Sequence, residues 1–369
     1  MAALIGGVPA RTGAATLHVP AGFATIQAGV DAASPGDTVL VASGSYSGAG
    51  NRDIDFGGKA IVLRSESGPS TTILDVQASA ADPHRGVVFK HGEGRAAVLE
   101  GFQIVNGYMS TLPSLRRAGM ARAGPGASGH DLSAGGVKVQ DVSSPTIRDC
   151  IIRSCHSEFT GGGMSIEIAS SPLVTRCTFI GCTSGIQGGG ISIETTSEPT
   201  LVDCIVTGNH SKTGGGIAIY APATVRGCVV SGNSAERGGG IECIVFSRST
   251  LERNIVWGNC ASSVAPEVFV DIGAPVSFTC CVLDSAGLRG PGRNTEVTWV
   301  RDNTFTDPLF CAPRSCSEAP TEAGDYALAA ASPALPERAA CGQLVGPLGR
   351  GCAVASLAWS RFKGLYRAP

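Results

Sequence analysis

The chain is poor in aromatic rings, in excess charge of either sign and in long apolar runs. Phe, Trp and Tyr together make 5% of its 369 residues, so a core has to be built from Val, Ile, Leu, Ala and Cys. Lys and Arg number 28 against 30 Asp and Glu, which leaves no basic field of the kind that draws proteins to nucleic acid. Nothing approaches the ~18 consecutive apolar residues of a membrane-spanning helix. The start, "MAALIGGVPARTG", lacks the charged opening and long apolar stretch of a secretory leader. No Cys-x2-Cys pair suggests zinc, and only six histidines are present as other soft ligands. No cofactor is therefore expected with certainty.

Glycine and cysteine are what the chain has in excess. Its 51 glycines are about twice the usual ~7% share, and 14 cysteines point to an oxidising compartment, outside the cell or at its surface. The glycines fall in a repeat: "SPTIRDCIIRSCHSEFTGGGMSIEIA", "SPLVTRCTFIGCTSGIQGGGISIETT", "EPTLVDCIVTGNHSKTGGGIAIYA" and "PATVRGCVVSGNSAERGGGIECIV". A fifth copy, "STLERNIVWGNCASSVAPEVFVDI", has lost its glycines, and an earlier one is split between "VLEGFQIVNG" and "AGGVKVQDV". Cys150 and Cys177 are 27 residues apart, Cys204 follows after 27 and Cys228 after 24. Such a period means stacked supersecondary units.

Inside each unit the apolar period is two. In "GGGMSIEIA", Met164, Ile166 and Ile168 share one face and Ser165 and Glu167 the other. Three short strands per unit, punctuated by Gly, Pro and Asn, suit one coil per repeat, with coils stacked ~4.8 Å apart. The expected fold is all-β, a right-handed parallel β-helix. Glycine triplets supply the positive-φ corner before a strand. Asn106, Asn209, Asn233 and Asn259 are expected at a second, shared corner where stacked amides bond backbone groups, with Cys155 and Cys182 in that place on two coils.

These features resemble the pectin-lyase-like superfamily, and specifically bacterial surface proteins with GGG-I repeats (polymorphic outer-membrane-protein-like). "GFATIQAGVDAASPGDTVLVASGSY", residues 22–46, is similar to the family's helical N-terminal cap, and "FTDPLFC" with "GDYALAAASPAL" to its closing coil. The division this implies is an N-terminal extension and cap over 1–46, the β-helix over 47–310 with an insertion at 108–134, a closing coil and Cys-containing cap over 311–352, and a tail over 353–369. Ile26, Val30 and Ala33 lie at helical spacing to cover the first coil. Cys311 with Cys316, and Cys341 with Cys352, are close enough in sequence to bridge. Cys155 with Cys182 is the corner candidate for a disulfide. The column Cys150, Cys177, Cys204 and Cys228 reads as buried apolar filler. The tail places Trp359, Phe362 and Tyr366 on one face, for docking or for covering the last coil.

Enzymes of the superfamily work on the outer face of one parallel sheet, so the outward columns carry the site expectation. Lys138, Ser165, Ser192, Ala218 and Glu242 form one; Gln140, Glu167, Glu194, Tyr220 and Ile244 form the next. Glu167 and Glu194 then stand about one strand spacing (~5 Å) apart, as a general acid/base pair or an attractor of Ca²⁺. Tyr220 is the sugar-stacking platform, with Lys138 and Glu242 as further substrate-binding groups; the alternative is a solvated face on which Lys138 and Glu242 are weak ion-pair partners. Arg116, Arg117, Arg122 and His130 make the insertion a cationic arm for an acidic polysaccharide. Asp53, Asp55, His84, Arg85 and His91 gather on early coils, where cap packing explains them. The paired Asp, Gly-His-Gly and Arg-x-Lys motifs of polygalacturonases are not found together, and the aspartate cluster with arginine of pectate lyases is absent. The leading reading is a secreted or surface β-helix that binds extended carbohydrate or a partner surface. The alternatives are a polysaccharide lyase, hydrolase or epimerase and a structural passenger or adhesin stalk. Oligomeric state stays open.

Overall fold

The computed structural model describes residues 13–110, 132–194, 196–244, 247–290 and 296–352. Arg116, Arg117, Arg122 and His130, and the tail from 353, lie outside them. Alternating apolar residues broken every few positions by Gly, Asn or Pro give strands too short to stand alone but long enough to pair with the next turn of the chain. One coil comprises Met164–Ile166, Leu173–Thr175 and Thr178–Ile180, the three expected strands, plus a fourth of two residues, Thr183–Ser184. The next coil lies in parallel register on it, Met164 opposite Ile191, Leu173 opposite Thr200 and Thr178 opposite Ile205.

Repetition builds three long sheets. Sheet 1 has 11 strands, from Thr16–Val19 to Val297–Arg301; sheet 2 has nine, from Gly44–Tyr46 to Val282–Leu283; sheet 3 has nine, from Ile54–Asp55 to Leu288–Arg289. Aliphatic side chains from all three fill one continuous interior, with Phe56 and Phe89 among its few rings. At the front, the helix Ile26–Ala32, N-capped by the Thr25 hydroxyl, lays Ile26 and Val30 on the first coil with Ala33 beside them, all buried.

The glycine triplets answer two separate demands. The first glycine of each, Gly161, Gly188, Gly214 and Gly238, has φ between 58° and 66°, and Ala134 and Ala265 hold the same conformation in the coils without a full triplet. The second glycine packs against the neighbouring coil. A Cβ on Gly189 would lie 2.5 Å from the carbonyl oxygens of both Gly215 and His210.

The corner columns are hydrogen-bonded along the solenoid axis. Asn209 Oδ1 accepts from the Cys182 N–H at 2.8 Å, Asn233 Oδ1 from the Asn209 N–H at 3.0 Å, and Asn259 Oδ1 from the Asn233 N–H at 3.0 Å. Each amide also donates to a carbonyl, of Phe179, Val206 and Val230 in turn. Asn106 is not in this column. Ile104 pairs with Ile152, which aligns Gly107 with Cys155 and puts Asn106 one place earlier, exposed and at φ 58°. Cys150, Cys177, Cys204 and Cys228 are buried free thiols, as the filler reading expects. They also donate weakly to carbonyls, Cys177 to Ile147 and Cys204 to Val174, each at 3.6 Å.

The cysteine pairing differs from the expectation. The disulfides are Cys260–Cys316, Cys280–Cys341 and Cys311–Cys352, so neither short-range pair forms. Cys155 and Cys182 are free, each thiol turned to a carbonyl, Ile104 and Ile152. The cause lies in the path of the chain after Thr304. It runs back along the outside of sheet 2 as a strap. Thr321 N–H donates to Gly208 O at 2.9 Å, Glu322 pairs with Arg153 at 2.7 Å, and Tyr326, Leu328, Leu335 and Val345 bury Val229, Ile255 and Val282 in a second core. Cys316 and Cys341 are thereby carried to the coils of Cys260 and Cys280, and Cys311 and Cys352 pair within the strap.

Candidate functional site

The strand Val137–Val139 and its successors in sheet 3 place the two expected columns in register. Lys138 lies opposite Ser165, then come Ser192, Ala218 and Glu242. All five are fully buried, although they point away from the interior. The positive-φ glycine is the reason. It turns the preceding segment back over the strand that follows, so that Gly161 sits against Met164 and Ser165, and Gly238 against Ile241 and Glu242. Thr160, Gln187, Thr213 and Arg237 bridge one another in a ladder at that turn and roof the outer face.

Each charged group under this roof has a partner there, although Glu242 Oε2 itself is buried without a hydrogen bond. Glu167 is 1% exposed. It accepts from the Ser165 hydroxyl at 2.6 Å and from the Ser133 hydroxyl, with Lys138 Nζ 3.8 Å away. Glu194, on the adjacent coil and partly exposed, accepts from Ser192 Oγ at 2.6 Å and Gln187 Nε2 at 2.8 Å. Glu242 is bound not by Lys138 but by Arg237, whose Nε donates at 2.6 Å and whose guanidinium lies 4.5 Å above the Phe269 ring. Burial nevertheless pushes the Glu242 carboxyl above its usual range. Tyr220 is half-buried, and burial together with Glu242 raises its phenol well above 10. Among the described residues no group of three or more His, Cys, Asp or Glu is placed to hold a metal ion.

The early-coil cluster forms two exposed ion-pair groups. His84 bridges Asp53 and, at 3.1 Å, Asp82, while Arg52 holds Asp82 at 2.9 Å. Lys90 and His91 hold Asp55 at 3.0 and 3.2 Å. Arg85 enters through its backbone N–H, which donates to Asp53 at 3.0 Å.

A groove of about 710 Å³ opens elsewhere, between the turn that follows sheet 2 and the strap. One wall is formed by Ser184, His210 to Lys212, Ser234 to Glu236 and Cys260 to Ser262; the other by Cys316, Ser317 and Ala319, with the Cys260–Cys316 disulfide joining the two. His210 bridges Thr183 on one side and Ser234 on the other, so equivalent polar side chains recur once per coil. The sequence reading missed this groove. The hydroxyl and histidine column was visible in the repeat at 156, 183, 210 and 234, but the wall opposite comes from a segment some 50 residues beyond the repeats, and no local pattern announces it.

The description of a right handed beta helix region fits residues 127–256 as a family model. Among solved structures, pectate lyase Pel9A aligns over 93% of this chain and 98% of its own at 12% identity, with a TM-score of 0.53. A pectin methylesterase from Aspergillus niger aligns over 82% and 89% at 15% identity and TM-score 0.43. An alginate lyase from Paenibacillus aligns over 79% and 95% at 14% identity and TM-score 0.41. No curated protein matches the sequence. Likeness at this level of identity speaks to architecture and not to activity.

Proposed function

We propose that this pectin-lyase-like right-handed parallel β-helix is an extracellular protein that binds an extended glycan in the groove between the repeat corners and the strap. The groove itself carries the reading: it spans successive coils, and each contributes polar groups to its near wall, Ser184, His210 with Lys212, Ser234 with Glu236 and Ser262. Successive coils lie ~4.8 Å apart, so an extended ligand meets donors and acceptors at a regular interval. Three disulfides in the C-terminal part fit an oxidising location. The roof over sheet 3 argues against that face as the principal binding surface, since Lys138 and Glu242 have no solvent exposure.

A second reading, a lyase, hydrolase or epimerase acting on an acidic glycan, is favoured by one observation. Glu194 and Tyr220 stay partly exposed on neighbouring coils beside Glu167. The two readings separate in one set of assays. The protein is screened on an array of neutral and uronate-containing polysaccharides, and the uronates are followed for ultraviolet-absorbing unsaturated products and for reducing ends. Binding that drops at least tenfold in Lys212→Ala/Glu236→Ala and is unmoved by Glu194→Gln supports the groove. Product formation lost in Glu194→Gln supports the enzyme, and binding indifferent to the groove substitutions removes the first reading.

A further inference from the structure

Resting on the glycan reading of the groove, we infer that the groove also performs chemistry: Ser234 and His210 form a hydrolytic dyad that removes short acyl esters from sugar hydroxyls. His210 Nδ1 lies 2.7 Å from Ser234 Oγ, within the reach that general-base activation of a hydroxyl requires. The parallel bridge between the two residues fixes the pair, because it sets equivalent positions of adjacent coils side by side. Both line the groove, and His210 is exposed.

The repeat supplies an internal comparison. Two coils earlier His156 Nδ1 meets Thr183 Oγ1, also at 2.7 Å. There the imidazole packs against Tyr108 with ring centroids 4.3 Å apart, burial lowers its pKa, and the hydroxyl is secondary and crowded by a methyl group. The same architecture thus makes the pair twice, once as packing and once open to a ligand with a primary hydroxyl. Lys212 and Glu236 lie two residues beyond His210 and Ser234, and both line the groove. The Lys212 ammonium supplies a positive charge for a developing oxyanion.

The reaction balances without a redox partner. Ser234 Oγ attacks the ester carbonyl carbon and its proton passes to His210 Nδ1. The carbonyl-to-sugar C–O bond breaks and the departing sugar oxygen takes that proton. Water then attacks the acyl-serine, His210 accepts its proton and returns it to Ser234 Oγ, and the free carboxylic acid leaves.

The test uses the whole chain and a fluorophosphonate probe, read by mass spectrometry of the adduct. A single adduct on Ser234 is expected, slowed at least 100-fold in His210→Gln. An initial burst of p-nitrophenol from p-nitrophenyl acetate is expected as well, lost in Ser234→Ala. Unlabelled Ser234 in the unmodified protein overturns the proposal with no variant needed, and so does an unchanged labelling rate in a His210→Gln protein whose far-ultraviolet dichroism matches the original. Glycan binding without labelling refutes the dyad alone; labelling without glycan binding refutes the groove's ligand class and keeps the dyad.

Discussion

Replacing Glu267 by Gln tests how the asparagine column ends. The amides of Asn209, Asn233 and Asn259 pass hydrogen bonds in one direction, and the last of them needs an acceptor. Glu267 is that acceptor: it is 3% exposed, its Oε1 accepts from Gly258 N–H at 2.8 Å and Asn259 N–H at 3.2 Å, and its Oε2 accepts from Asn259 Nδ2 at 2.6 Å. Glutamine keeps one oxygen and turns an NH₂ toward a donor, leaving a buried N–H unpaired at a cost of about 1–3 kcal/mol. Charge complicates the outcome in a useful way. Burial lifts the Glu267 carboxyl from 4.5 to about 7, against the pull of the Asn259 and Gly258 donors and with a push from Asp284. A carboxyl raised in the folded state contributes its stability below the unfolded value and loses it as pH rises through the folded one. At about 1.4 kcal/mol per pKa unit, the native protein should lose roughly 3 kcal/mol through this group between pH 4.5 and 7. The Gln variant has no such loss, and titration elsewhere cancels in the difference. Urea unfolding of both proteins should therefore show the variant less stable at pH 5 and the deficit shrinking by roughly 3 kcal/mol by pH 8. A deficit that stays constant across that range would refute the reasoning.

Three further outcomes follow from the same geometry. Gly189→Ala should abolish folding or cost more than about 4 kcal/mol, since its Cβ meets two carbonyl oxygens at 2.5 Å, whereas Gly68→Ala, at φ 82° in open space, should cost about 1–2 kcal/mol in a thermal melt. Cys260→Ser with Cys316→Ser should reduce stability by about 2–4 kcal/mol and make the strap the first site of limited proteolysis; a cleavage pattern unchanged from the parent would count against the strap's dependence on that bond. Glu167→Ala should cost about 3 kcal/mol by denaturant midpoint, because it takes a buried carboxylate from the Lys138 ammonium and from two hydroxyls. It should leave ligand binding in the groove as it was.

The parts of this molecule that could be read from sequence are those governed by the coil period. Residues 27 or 24 apart become neighbours, so the Lys138 and Glu167 columns, the thiol filler and most of the asparagine corner follow from counting. Where the count slipped by one residue, at Asn106, the split repeat hid the alignment that the Ile104–Ile152 pairing reveals. Alternation also says which way a side chain points, but not what covers it. Glu242 points outward and is buried because Gly238, at φ 63°, folds Arg237 over it; a conformation four residues away decided its exposure. The strap is a harder case. Its apolar residues, Tyr326, Leu328, Leu335 and Val345, carry no period that names Val229, Ile255 and Val282 as their partners, and the disulfides that hold it close spans of 41 to 61 residues. In a solenoid, contacts between neighbouring coils are encoded by repetition and contacts across the outside are not. The groove lies on that boundary, one wall repeated and one wall unique, and this is why only the ladder of His210 and Ser234 was legible while the cleft it faces was not.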